Sequence, residues 1–292
     1  MPVVRDFEAT ISIGKLFAIL DSISAHVAAK LELFGADERT LTDDLCDMFC
    51  LWPELDNRGY SDPTIPVLDK LLNLKIHKTS QKQEAELGAD LAIRVVSPRG
   101  VKYAVMQAKV YDPDDGALRC DSPAGWDKLC SQLVLMRALV DAPSFLLIYV
   151  PASKLDGETF GFRTWETDAV RLRSGTSARF GATLLSVDDL LSTDNMWNHS
   201  PPVIDNGDGT FRPLGITLSS LLAQMLCCQT GSWFDPRLFR QAGASPMRHS
   251  HTENESHPIH YTPYRELCLE ITNLTKEEWS AIESALADSA VP

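Results

Sequence analysis

Residues 88–110 read GADLAIRVVSPRGVKYAVMQAKV, two runs of alternating apolar residues on either side of Ser97-Pro98-Arg99-Gly100. Strand side chains alternate faces, and Pro and Gly punctuate turns, so the stretch predicts a β-hairpin. With Pro98 and Arg99 as the two central turn residues, opposed residues carry numbers that add to 197, and Asp90 lies across from Gln107 with Cβ atoms about 5 Å apart. A type I turn followed by a bulge would raise that sum to 198 and set Asp90 against Ala108. The apolar pattern favours the first register. It places Leu91, Ile93, Val95, Ala104, Met106, Ala108 and Val110 on one face, the expected core face, and Asp90, Ala92, Arg94, Tyr103, Val105, Gln107 and Lys109 on the other. An acid, an amide and an amine therefore converge at the open end of the hairpin.

Working outward, Leu16, Leu20, Ile23, Val27 and Leu31 recur at three or four residue steps and predict an amphipathic helix over about 12–33. Asp37 is placed to cap a second helix with the apolar face Leu41, Leu45, Met48 and Trp52, which Pro53 is expected to end. After the turn-rich loop DNRGYSDPTIP (56–66), LLNLKIHK alternates through Leu72, Leu74 and Ile76 as a strand. Downstream of the hairpin, Trp126, Leu129, Leu133, Met136 and Val140 share a helical face, and SFLLIYV is the continuous apolar run of a strand covered on both sides. A last strand is expected over Ala182–Val187. The order helix, three strands, helix, strand predicts an α/β fold with a mixed sheet. Beyond residue 195, DNGDG (205–209) reads as a turn, 218–229 as a helix, 242–261 as loop, and EEWSAIESALA as a final helix. The expected organisation is a domain over 1–195 and a helical and loop extension over 196–292 packed on it.

At 292 residues and 44% hydrophobic, the chain has the composition of a globular protein with one large core or two modest ones. No apolar run approaches the roughly 20 residues of a membrane helix, and MPVVRDFEAT lacks the basic-then-apolar order of a secretory signal. A cytoplasmic protein without a membrane partner is expected. Seven cysteines without a C-x-x-C pair fit thiols in a reducing compartment. The net charge of -13 excludes an indiscriminate polyanion binder. Within residues 70–109, however, eight Lys or Arg stand against three acids, so the hairpin is basic inside an acidic chain.

Asp90 supplies a charged oxygen, Gln107 a neutral one and Lys109 a cation. Hard cations such as Mg²⁺ take a few protein oxygens and keep several waters, and a lysine beside such water can orient it and help to deprotonate it. The alternative is a surface hairpin with a polar face on which Lys109 pairs with Asp90.

Asp90 followed by Gln107-x-Lys109, with an acid-bearing helix before and a helix and buried strand after, resembles the PD-(D/E)XK nuclease superfamily, with the restriction-endonuclease-like αβββαβ core. The resemblance covers about residues 35–150, and Gln107 in place of the usual acid is similar to the Q-x-K branch of Mrr-type nucleases. It implies Mg²⁺-dependent endonuclease hydrolysis of DNA, with Mn²⁺ as a substitute, by a restriction or antiphage defence effector. The implied catalytic set is Asp90, Gln107 and Lys109, joined by Glu38 from the preceding helix and Glu84 from the connection before the hairpin. The implied metal ligands are Asp90, Gln107, Ala108, which can offer only a main-chain oxygen, and Glu38. Glu38 has a second reading, since a first-turn glutamate is favoured by the helix dipole for about 0.3–1 kcal/mol. Lys75, Lys78, Lys82, Arg94 and Gln132 are the residues expected to face nucleic acid, and a homodimer or a partner protein would bring two sites to two strands.

Other clusters read more plainly. His249, His251, His257 and His260 lie in a polar loop without cysteine partners, and Asp112, Asp114 and Asp115 form an acidic turn. Arg163, Arg171, Arg173 and Arg179 could form a second wall of a phosphate groove or a solvated loop. A different class of function stays open: a restriction-fold protein whose catalysis has lapsed and which serves as a nucleic-acid-binding or protein-interaction scaffold.

Overall fold

The computed structural model describes residues 7–55, 69–78, 89–112, 117–119, 123–139, 142–151, 181–192, 203–205, 211–213, 216–226, 265–271 and 274–289. The elements in chain order are β1 (Phe7–Ser12), α1 (Ile13–Phe34), α2 (Glu38–Leu55), β2 (Leu71–Lys78), β3 (Leu91–Ser97), β4 (Gly100–Asp112), β5 (Ala117–Leu118), α3 (Pro123–Leu139), β6 (Ser144–Tyr149), β7 (Ala182–Ser186), α4 (Val187–Ser192), β8 (Val203–Asp205), β9 (Phe211–Pro213), β10 (Ile216–Thr217), α5 (Leu218–Leu226), β11 (Arg265–Glu270) and α6 (Lys276–Ser289).

Local chemistry sets the helix ends. Ser12 Oγ accepts from Lys15 N at the start of α1, and Gly35 closes it in the left-handed region at φ 59° with its N–H on Leu31 O. Asp37 caps α2 as expected, its Oδ1 accepting from Thr40 N at 2.8 Å. The helix then runs through Pro53 to Leu55 instead of stopping at the proline. Thr275 and Glu278 form a reciprocal capping box at α6, each side chain accepting from the other's backbone N–H.

Among the described residues the strands form one mixed sheet in the order β1-β2-β11-β3-β4-β6-β7-β10, with β5 paired to the far end of β4, and a separate β8-β9 pair. The hairpin has the first of the two registers: Leu91 faces Met106 and Ser97 faces Gly100. Gly100, at φ 145°, supplies a turn exit that a side chain would resist. β4 pairs in parallel with β6, the buried apolar strand, across α3. One layer of core joins α1, α2, α5 and α6 to Leu91, Ile93, Val95, Ala104, Met106 and Ala108. The second packs Leu129, Leu133 and Met136 of α3 on Ala92, Tyr103 and Val105. The hairpin face expected to be polar is thus a second core, and only its open end keeps the polar set.

The described C-terminal residues join the sheet and its core. β11 lies inside the sheet, antiparallel to β2 and parallel to β3. Trp279 of α6 and Leu221, Leu222 and Met225 of α5 are buried in the same core cluster as the hairpin. Burying each such side chain contributes about 1.5–3 kcal/mol, so these described residues add to the core that the hairpin shares. β2 and the hairpin, consecutive in sequence, are separated in space by β11.

Candidate active site at the open end of the hairpin

β3 begins at Leu91 while β4 continues to Asp112, so β4 loses its neighbour on one side just past Met106. The last main-chain rung is Asp90 N to Met106 O at 2.9 Å. The next β3-facing donor, Ala108 N–H, meets no described strand, and the Asp90 carboxylate takes it, Oδ2 accepting at 2.7 Å. Asp90 Oδ2 also accepts from Gln107 Nε2 at 2.6 Å. The expected meeting of Asp90 and Gln107 is therefore present, built by the strand-end mismatch.

Lys109 does not pair with Asp90. Its ammonium donates to both oxygens of Glu38, at 2.8 and 2.6 Å, from the first turn of α2. Lys109 alternates onto the α3 side of β4, whereas α2 packs on the other layer. Glu38, whose position in a first turn left two readings, is part of the cluster.

Two residues here were not legible in the sequence. Thr42, one turn after Glu38, donates from Oγ1 to the Glu38 carbonyl at 2.8 Å and lies 2.9 Å from the Tyr149 hydroxyl. Tyr149 ends β6, beside Val110 in the parallel ladder. Burial pushes its phenol well above the ordinary tyrosine value; the Thr42 hydrogen bond opposes this, while Cys46, Asp90 and Glu38 add to it. Tyr149 is a neutral donor at any ordinary pH. The i, i+4 spacing of Glu38 and Thr42 was the available signal for the threonine; Tyr149 read as one more apolar-strand residue.

The donor set suits a hard cation held by few protein oxygens. Gln107 is 4% exposed, and its Oε1 has no hydrogen-bond partner among the described residues. A buried carbonyl oxygen left in that state costs about 1–3 kcal/mol, which a cation beside Asp90 would offset. In the structure the amide turns its nitrogen to the carboxylate. Ala108 contributes its N–H to Asp90, and its carbonyl lies 3.5 Å from Gln107 Nε2. No group of three or more His, Cys, Asp or Glu suited to a metal occurs among the described residues, so any cation here depends on Gln107 and main-chain oxygen beside the carboxylates.

The remaining expected residues that are described do not gather at this site. Arg94 is 8% exposed, and the part-exposed Lys75 pairs with Glu270 Oε2 at 2.7 Å. Lys102 is buried with its Nζ on Met225 O, and Arg99 meets Glu283 and Ser280. Much of the basic surplus of the hairpin is thus answered by the C-terminal part of the chain. Gln132 is half-buried on α3, and Asp112 pairs with Arg119. Glu84, Lys82, the Lys78 side chain, Asp114, Asp115, the histidine cluster and the arginines at 163–179 lie outside the described residues. No disulfide joins described cysteines, and Cys46 and Cys268 are buried thiols. No described helix is long and apolar enough to cross a membrane.

Comparison of the chain with protein-family models, curated proteins and solved structures finds no match.

Proposed function

We propose that the protein is a metal-dependent nuclease with a restriction-endonuclease-like core, acting on phosphodiester bonds of DNA. The observation that carries this reading is the meeting of Asp90 and Gln107 at the end of β3, with the buried Gln107 oxygen unpartnered among the described residues and Lys109, two positions on, held by Glu38. Asp90 and Gln107 Oε1 would hold Mg²⁺ or Mn²⁺. When bound, the cation supplies positive charge to phosphate oxygens as negative charge builds on them. Lys109 orients the attacking water and donates to the phosphate, a task that requires its ammonium to be shared with or released by Glu38. Defence against foreign DNA is the setting in which such an activity fits, with a second copy or a partner protein bringing a second site.

The test is incubation with plasmid, linear and single-stranded DNA and with RNA, in Mg²⁺, Mn²⁺, Ca²⁺ or EDTA. Cleavage is expected in Mg²⁺ or Mn²⁺ and is expected to stop in EDTA. Lys109→Ala should lower the rate by on the order of 10²–10³-fold while keeping most DNA affinity, as loss of one charge-stabilising donor does. Full activity in EDTA, or unchanged rates in both Lys109→Ala and Asp90→Ala, would sink the reading. The bidentate hold of Glu38 on Lys109 favours one second reading, a lapsed site in which the pair is structural. Its outcome would be nucleic-acid or protein binding with no cleavage under any cation.

A further inference from the structure

We propose that Thr42 and Tyr149 are positioning residues for Lys109, acting through Glu38; the functional part of this inference rests on the nuclease reading above. A threonine hydroxyl has one proton. Thr42 spends it on the Glu38 carbonyl at 2.8 Å, so in the 2.9 Å contact with Tyr149 the phenol is the donor. The result is a directed chain from Tyr149 O–H to Thr42 O–H to the Glu38 main chain. Each end is fixed by an independent element: Tyr149 at the end of β6, fully buried, and Glu38 at the start of α2. Because Lys109 and Tyr149 sit on neighbouring strands, with Val110 directly opposite Tyr149, the chain references the first turn of α2 to the β4–β6 pair that carries the lysine. Glu38 is then held where both of its oxygens reach Nζ.

Lys109 on β4 and Glu38 at the start of α2 come from separate elements, so their contact depends on where that first turn sits. A first turn of α2 free to shift by about 1 Å would leave the ammonium misplaced, and misplacement of that size can cost on the order of a hundredfold in rate. A merely structural hydroxyl pair would lower stability without changing how Lys109 is held.

The experiment reads the amine directly. Lysines are acetylated with limiting acetic anhydride at one fixed pH and quantified by peptide mass spectrometry, with Lys276, exposed at the start of α6, as internal reference. Lys109 should react far more slowly than Lys276 in the wild type. Glu38→Gln sets the upper limit of its reactivity. Thr42→Val and Tyr149→Phe should each raise the Lys109 rate several-fold relative to Lys276, and Thr42→Ser, which keeps the hydroxyl, should restore the slow rate. In the cleavage assay, Thr42→Val should lower kcat roughly tenfold or more with KM for DNA unchanged. The proposal is overturned if Glu38→Gln releases Lys109 while Thr42→Val and Tyr149→Phe do not, or if Glu38→Gln itself leaves it slow. Should Tyr149→Phe fail to fold, the Thr42→Val and Thr42→Ser pair decides. The labelling needs no catalysis, so a protein that cuts nothing sinks the nuclease reading while the positioning of Lys109 is still judged.

Discussion

Gln107 is the residue on which the proposed chemistry turns. Its amide donates to Asp90 and leaves its oxygen buried without a partner, so a glutamate in its place should have opposite effects with and without a cation. In EDTA, Gln107→Glu sets two carboxylates against each other and should melt below the wild type. On addition of Mg²⁺ its midpoint should rise further than that of the wild type, since binding to the folded state alone adds stability. Equal Mg²⁺ responses of the two proteins in a thermal melt would show that position 107 does not face the ion. Asp37 makes a separate prediction. As cap of α2, it should cost about 1 kcal/mol on Asp37→Ala, measured by urea unfolding near neutral pH. Its carboxyl is held below the ordinary value, first by the backbone N–H of Thr40, so its ionised form stabilises the fold above the unfolded carboxyl value. That contribution is lost as pH falls through the lowered folded value. The gap between wild type and Asp37→Asn should therefore close in acid.

At the scale of elements, two contacts decide how layers and strands meet. Gly181, at the entrance to β7, lies against α1, where an added Cβ would come 2.2 Å from the Ala28 Cβ and 2.6 Å from its Cα. Backbone crowds that site, so relief by a rotamer is not available. Gly181→Ala should destabilise by about 1–3 kcal/mol, the usual cost of overpacking, in the same unfolding assay. Lys75 sits diagonally across from Glu270, between β2 and β11. Lys75→Glu should lower stability by up to about 1 kcal/mol through like-charge repulsion. Any weakening of DNA binding in this variant should follow its loss of folded protein, not a lost phosphate contact. A Lys75→Glu protein with full stability and selectively lost DNA affinity would restore the basic strand as a binding surface.

For the whole molecule, the position of β11 governs what a truncation does. Ending the chain at residue 195 removes the strand between β2 and β3 together with the core residues of α5 and α6, Trp279 among them. Two strand edges would open in the middle of the sheet. The fragment should lack cooperative unfolding and resist proteolysis poorly, in contrast to a self-contained domain that had lost an extension. The sequence alone determined what is local. Alternation and a two-residue turn set the hairpin register, periodicity placed α1, α2 and α3, and spacing joined Asp90 to Gln107. All of these depend on residues within a few positions, or across one tight turn, where geometry follows from chain connectivity. Tertiary structure decided the rest. It chose Glu38 over Asp90 as the partner of Lys109, brought Thr42 to Tyr149 across 107 positions, drew Glu270 to Lys75 and Glu283 to Arg99, and threaded Arg265–Glu270 between β2 and β3. Six residues of alternating character carry no mark of which edge they will join, because strand pairing over nearly two hundred positions is selected by the burial of the whole sheet and not by anything in the strand itself.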